Sequence, residues 1–246
     1  MGRKPKKTEE KLNDLPSYKV SIKCQTAKQK EFAKIIKTPH NEICFGIGSA
    51  GTGKTYVSMA TALSLLKDPN NDFDKIVIFL VTTESTQELR LGFLKGELND
   101  KLQPYKQNSI NTIDKIFKNS ENENPKQITD TLINKGFIEF DLINFIKGKT
   151  YENCICLLEE AEDLSREDMK LILTRKGGKT CKIVCTGDTK QINRSDLRKN
   201  KNKSGLEFSA NILEDMDEVS VVKFDENDIV RDKLLTEIIK RFDENL

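Results

Sequence analysis

The sequence lacks an apolar run long enough to span a membrane, and it shows no pattern expected of a secretory signal. We therefore expect neither a membrane-spanning nor an exported protein. Its longest purely apolar run covers residues 76–81, far below the ~18 residues that indicate a membrane-spanning helix. The charged N-terminus is not followed by an apolar segment, so no secretory signal is expected. We therefore expect no membrane contact and a cytoplasmic location, meaning the host cytoplasm if a phage gene encodes the chain.

A large excess of one charge is also missing. Asp, Glu, Lys and Arg make up 33% of the 246 residues, yet the net charge is only +2. This balance excludes a protein that coats nucleic acid through its overall charge. Basic residues do cluster at residues 1–18 and again at residues 194–203. The second cluster is either a groove that contacts nucleic-acid phosphates or a solvated loop.

Histidine is nearly absent, since His40 is the only one, and a lone loop histidine supports no site. Cysteine occurs six times, mostly inside apolar runs, where it behaves as a small hydrophobic residue. Reduced, buried thiols are the simplest interpretation. A zinc site from Cys154 and Cys156 with Cys181 and Cys185 is the alternative, but strand-like alternation accounts for both pairs.

One stretch fits the phosphate-binding pattern G-x-x-x-x-G-K-[ST], with an apolar run before it and a helical pattern after it. Its residues are Gly48, Ser49, Ala50, Gly51, Thr52, Gly53, Lys54 and Thr55. Glycines let successive backbone N–H groups and the following helix N-terminus point at phosphate oxygens. Lys54 is expected to reach the β- and γ-phosphates, Thr55 to ligate Mg²⁺, and Tyr56 to lie beside the nucleotide.

Buried strands alternate with helices along the rest of the chain. Thr26 and Ser165, the latter with Asp168 three residues on, are of the residue types that cap helix starts. Residues 97–117 are predicted to be mainly helical apart from Pro104, and a closing helix is predicted from residue 227 or 228 to about residue 242. Apolar runs predict strands at residues 42–47, 75–82, 154–158, 182–186 and 219–224, with a short one at 137–140. This order predicts an α/β fold with a largely parallel, doubly wound sheet flanked by helices. Residues 1–18 are predicted to be a flexible arm and residues 19–246 a single domain. That compact format suits a phage or another small genome.

Polar residues follow three of these strands, and ligands bind at the carboxyl ends of parallel strands. They are the phosphate loop, Glu159 with Glu160, and the turn from Gly187 to Gln191. Glu159 is expected to hold Mg²⁺, Glu160 to position the attacking water, and Gln191 to sense the γ-phosphate. The alternative for the two acids is a solvated helix start.

These motifs resemble the ATPase domain of PhoH-like proteins, relatives of RecA-fold helicases, over about residues 18–242. Besides the phosphate loop, the resemblance rests on residues 91–98, 158–163, 169–175, 186–193, 204–206 and 228–231. It implies a RecA-like P-loop NTPase that binds ATP and Mg²⁺, forms a ring, expected to be hexameric, and acts on or near single-stranded RNA. It further implies adenine recognition by Gln29, and Arg175 or Arg231 acting on the next subunit's γ-phosphate.

The chain departs from the family pattern around its acidic pair. Glu159 stands where the family usually has Asp, and Glu162 and Asp163 stand where it usually has Gln and Asn. Because Mg²⁺ is strict about geometry, hydrolysis is expected to be slow, or Asp188 shares the metal. A nucleotide-controlled binding switch with little turnover is thus the second hypothesis. A small-molecule kinase is a third, although nothing in the sequence marks an acceptor pocket.

Overall fold

The computed structural model describes residues 13–81, 98–189, 191–192, 204–230 and 241. Within them six strands form one sheet, in which every neighbouring pair is parallel. The strands are β1 Ile43–Ile47, β2 Lys75–Leu80, β3 Ile138–Leu142, β4 Cys154–Leu158, β5 Cys181–Gly187 and β6 Val219–Lys223. Their order across the sheet is β3-β2-β4-β5-β1-β6. The predicted fold class is therefore confirmed.

Six α-helices connect or flank the strands in this part of the chain. They are α1 Ala27–Lys37, α2 Lys54–Lys67, α3 Leu98–Asn119, α4 Pro125–Asn134, α5 Arg166–Leu173 and α6 Gly205–Leu213. Short 3-10 turns occupy Ile143–Phe145, Ala161–Asp163 and Glu226–Asp228. None of the described helices is long and apolar enough to cross a membrane.

The sheet carries an apolar core on each face, because its central strands are apolar at nearly every position. In β4 the side chains alternate, so Ile155 and Leu157 join one core while Cys156 and Leu158 join the other. The first core also contains Phe32, which packs edge-on against the ring of the phenylalanine that follows β6. Parallel pairing of β4, β5 and β1 places the carboxyl ends of these central strands side by side.

Three features differ from the sequence-based expectations. Pro104, expected to interrupt the segment before residue 117, lies inside α3. Helix α6 was not predicted, although Ser204 and Gly205 sit at its start. Tyr18, at the end of the predicted arm, is 2% exposed in the core, and Leu15 packs against that core. The predicted closing helix at residues 227–242 lies mostly outside the described residues.

Candidate functional site

The carboxyl ends of β4, β5 and β1 lie side by side because these strands are neighbours in the sheet. A cavity of about 550 Å³ opens at this edge. Its lining includes Ala50, Gly51, Gly53, Lys54, Thr55, Tyr56, Thr112, Lys115, Glu160, Glu162, Thr186, Gly187, Asp188, Gln191 and Val230. The three strand ends named from the sequence therefore meet at one cavity.

The phosphate loop has the backbone that its glycines permit. Gly53 adopts φ 79° and ψ 14° immediately before α2, a left-handed conformation that glycine enters without steric cost. A Cβ atom there would also lie 2.7 Å from the Gln29 amide nitrogen. The loop is tied on its other side, since Val230 donates its N–H to the Gly51 carbonyl at 2.9 Å. The geometry thus explains why glycine is needed at residue 53.

Lys54 lies inside the loop with its side chain largely buried. Its ammonium group donates to the carbonyls of Gly48 at 2.6 Å and Ser49 at 2.8 Å, and to the Thr52 hydroxyl at 3.2 Å. Burial lowers the pKa of Lys54, while the carboxylates of Asp188 and Glu162 oppose that shift. The Lys54 ammonium group is therefore held inside the loop by oxygen atoms of the loop itself.

Asp188 places a carboxylate directly on the phosphate loop. Its Oδ2 atom accepts the Ala50 N–H at 2.8 Å, and its own backbone carbonyl accepts the Gln191 N–H at 2.9 Å. One loop amide is thus bonded to a protein anion. The same residue holds Gln191 at the rim of the cavity.

Glu160 lines the cavity, whereas the neighbouring Glu159 side chain binds Ser109. Glu160 is exposed, lines the cavity and has φ 52° and ψ 39°, a left-handed conformation that costs a non-glycine residue about 1–3 kcal/mol and is typical of functional sites. Glu159 instead accepts the Ser109 hydroxyl at 3.0 Å, and its Oε1 atom is buried without a hydrogen-bond partner among the described residues. Burial raises the pKa of Glu159 to about 7.

Glu162 is a cavity residue that the sequence reasoning did not select. It is 6% exposed, and its Oε2 atom has no hydrogen-bond partner among the residues that the structure describes. Burial raises the pKa of Glu162 to about 7, against backbone N–H donors that lower it. Thr112 and Lys115 of α3 also reach the cavity. Glu162 belongs to the motif at residues 158–163, but no local motif marks Thr112 or Lys115, which only packing brings to the strand ends.

Gln29 fixes the phosphate loop to the turn before α1. Its Nε2 atom donates to the Thr52 carbonyl at 2.9 Å, and its Oε1 atom accepts the Gln25 N–H at 2.6 Å. The side chain is 3% exposed. The predicted role of Gln29 in reading adenine stays a prediction. In this structure its amide nitrogen and oxygen both bind backbone groups of the protein.

We expect Gln29→Ala to weaken ATP and GTP binding by the same factor, because it loosens the loop rather than a base contact. It should also lower the free energy of unfolding by about 1–3 kcal/mol, since the buried Thr52 carbonyl and the partly buried Gln25 N–H lose their partner. Binding titrations and urea unfolding measure both effects. Gln25→Ala, which removes an exposed side chain and keeps its backbone N–H, is the control. A selective loss of ATP binding would instead show adenine recognition.

Of the two arginines predicted to act on a neighbouring subunit, Arg175 lies within the described residues and Arg231 does not. Arg175 follows α5 and lies beside the residues that precede β4, where its carbonyl accepts the Tyr151 N–H at 2.9 Å. It therefore lies at the edge of the sheet opposite the phosphate loop. Its Nε atom is buried without a hydrogen-bond partner among the described residues. Arg231 lies outside them, as does the predicted motif loop at residues 91–97.

The donor set at the cavity fits a hard divalent cation. Thr55 supplies a hydroxyl, and Glu160, Glu162 and Asp188 supply carboxylates at the same lining. Oxygen ligands of this kind are those that Mg²⁺ takes in proteins. The buried Oε2 atom of Glu162 is a further acceptor that protein groups leave unused within the described part of the chain.

The parallel sheet and the loop between β1 and α2 define a RecA-like P-loop NTPase fold, and the site lies where that fold binds phosphates. The family model described as "PhoH-like protein" matches residues 21–243. The chain belongs to this family.

Comparison with curated proteins gives relatives named PhoH-like protein or PhoH. The chain is 33% identical over 223 residues to a PhoH-like protein of Bacillus subtilis, covering 91% of this chain and 64% of that protein. It is 34% identical over 222 residues to a PhoH-like protein of Mycobacterium bovis, covering 90% and 58%. Protein PhoH of Escherichia coli K12 is 28% identical over 220 residues, covering 84% and 54%. The chain thus spans less than two thirds of the length of these relatives.

Proposed function

We propose that this chain binds ATP with Mg²⁺ and hydrolyses it in a ring of identical subunits, expected to be hexameric, that acts on or near single-stranded RNA in the cytoplasm. The observation that carries the hydrolytic part is the shared cavity of Lys54, Glu160 and Gln191. Hydrolysis needs a cation at the phosphates, a group that orients water and a contact that senses the γ-phosphate. These three side chains supply those parts.

Each residue has a defined task in this proposal. Loop N–H groups and Lys54 hold the phosphates, and Glu160 orients the water and accepts its proton. Mg²⁺, when bound, offsets the charge that develops on the transferred phosphoryl group. Thr55 would hold the ion together with a carboxylate. Of the two carboxylates weighed for that place, Asp188 lines the cavity and Glu159 does not.

The ring is supported by the position of Arg175. A cation at the sheet edge opposite the phosphate loop cannot serve its own site, but it can face the site of a neighbouring subunit. Such an arginine stabilises transition-state charge and is worth about 10³–10⁵ in turnover where it has been measured in other NTPases.

Mixing two inactive variants tests this shared site. Arg175→Ala and Lys54→Ala should each lose turnover alone, and the mixture should recover part of it, because an intact Arg175 then faces an intact Lys54 site. Arg231→Ala mixed in the same way tests the other candidate. A rate per subunit that does not change with protein concentration, with no recovery in either mixture, would remove the ring from the proposal. A separate measurement tests the role of RNA. The rate of ATP hydrolysis by the unmodified chain is compared with and without single-stranded RNA, and an unchanged rate would remove RNA from the proposal.

The second candidate is a nucleotide-controlled binding switch with little turnover. Two contacts favour it. Glu159 accepts a hydrogen bond from Ser109 and does not line the cavity, and the Asp188 carboxylate already accepts the Ala50 N–H of the phosphate loop. A switch predicts tight ATP binding with undetectable hydrolysis at every protein concentration.

A further inference from the structure

Three cysteine thiols lie close together in the apolar core on one face of the sheet. None of them lines the nucleotide cavity. Cys154 and Cys156 are two residues apart on β4 and face the same core, with their sulfurs 3.7 Å apart. Cys181 is the register partner of Cys154 on β5, and those two sulfurs are 4.0 Å apart. All three Sγ atoms lie within 4.8 Å of one another. Residues that are distant in sequence therefore form one three-sulfur cluster.

This spacing is that of ligands around one soft metal ion. A cation bound to sulfur at about 2.3 Å holds its sulfurs about 3.8–4.0 Å apart in tetrahedral or trigonal geometry. Within the described chain, no fourth His, Cys, Asp or Glu ligand atom joins the cluster. Three sulfurs without a fourth ligand suit Cu(I) better than Zn²⁺, which is almost always four-coordinate in structural sites. We propose that Cys154, Cys156 and Cys181 bind one Cu(I)-like soft cation at the sheet edge opposite the phosphate loop.

Entry of an ion would require a local opening of the turn before β5, where Gly178 and Lys179 are exposed while Cys181 is buried. Because β4 and β5 are adjacent central strands, a bound ion would cross-link them. The expected consequence is higher stability of the folded chain.

The experiment uses the full chain, reduced, freed of metal with a chelator and kept without oxygen. Cys24→Ser is introduced first, because Cys24 is the cysteine that is only partly buried. Cu(I), supplied as its acetonitrile complex, should give an ultraviolet thiolate-to-metal band that saturates at one equivalent per chain. The thermal midpoint should rise, since a ligand that prefers the folded state stabilises it.

Serine variants locate the ion. Cys154→Ser and Cys181→Ser should each weaken Cu(I) binding by more than the ~10–100-fold that loss of an outer partner costs. Cys185→Ser is the matched control, because Cys185 is equally buried in the same core on β5 and lies outside the cluster. If a serine variant fails to fold, the titration of the parent chain still decides. No saturable band, a lower thermal midpoint on adding Cu(I), or equal loss in Cys185→Ser would overturn the proposal.

Discussion

Glu160→Gln will lower the rate of ATP hydrolysis by about 10²–10⁴-fold, the typical contribution of a positioned proton acceptor. ATP affinity will change little, because phosphate binding depends on Lys54 and the loop amides. Glutamine keeps the size of the side chain at a position with φ 52°, so the left-handed turn is preserved. Steady-state hydrolysis and equilibrium ATP binding, measured on the same preparation, test both parts.

Two matched glutamate-to-glutamine changes serve as controls. Glu159→Gln alters a carboxylate bonded to Ser109, and Glu162→Gln alters a buried cavity carboxylate. Both should retain more activity than Glu160→Gln, and a role of either in metal binding would appear as a higher Mg²⁺ requirement. If the unmodified chain binds ATP tightly and hydrolyses none, the enzyme proposal fails and the binding switch stands.

Gly187→Ala is expected to lower the free energy of unfolding by about 1–3 kcal/mol, as overpacking of a filled site does. A Cβ atom at this position would meet the Glu162 Oε2 atom, and it would lie 2.5 Å from the Leu206 Cδ2 atom. The added methyl group would push Glu162 away from its place in the cavity. Urea unfolding measures the loss, and ATP binding shows whether the cavity is disturbed.

A double variant separates this contact from general strain. Glu162→Ala combined with Gly187→Ala should lose less stability than the sum of the single changes, because the shortened side chain leaves room for the methyl group. Gly178→Ala is the control, since Gly178 has φ 63° and a Cβ atom added there would meet nothing within 4 Å among the described residues. It should lose stability through backbone strain alone and show no coupling to Glu162→Ala. Additive losses in the first pair would contradict the described contact.

Much of the fold could be predicted from sequence because its signals are local. Each of β1, β2, β4 and β5 is a short apolar run, and a run of that kind indicates a strand buried on both faces. Caps were also readable: the Thr26 side chain accepts the Gln29 N–H, and Ser165 and Asp168 form a capping box. Helix α6 was missed because the polar segment before it hid its start.

The sequence by itself determined that a phosphate loop follows the first buried strand, since the spacing of its glycines, Lys54 and Thr55 is set over eight consecutive residues. It also determined which strand ends carry acids. Only the tertiary structure decided that Glu160 and Glu162 line the cavity while Glu159 turns to Ser109. The left-handed backbone at Glu160 redirects the chain there, and the Ser109 hydroxyl of α3 holds the Glu159 carboxylate away from the cavity. The same distinction holds for the thiols, whose neighbours across strands depend on sheet register rather than on spacing along the chain.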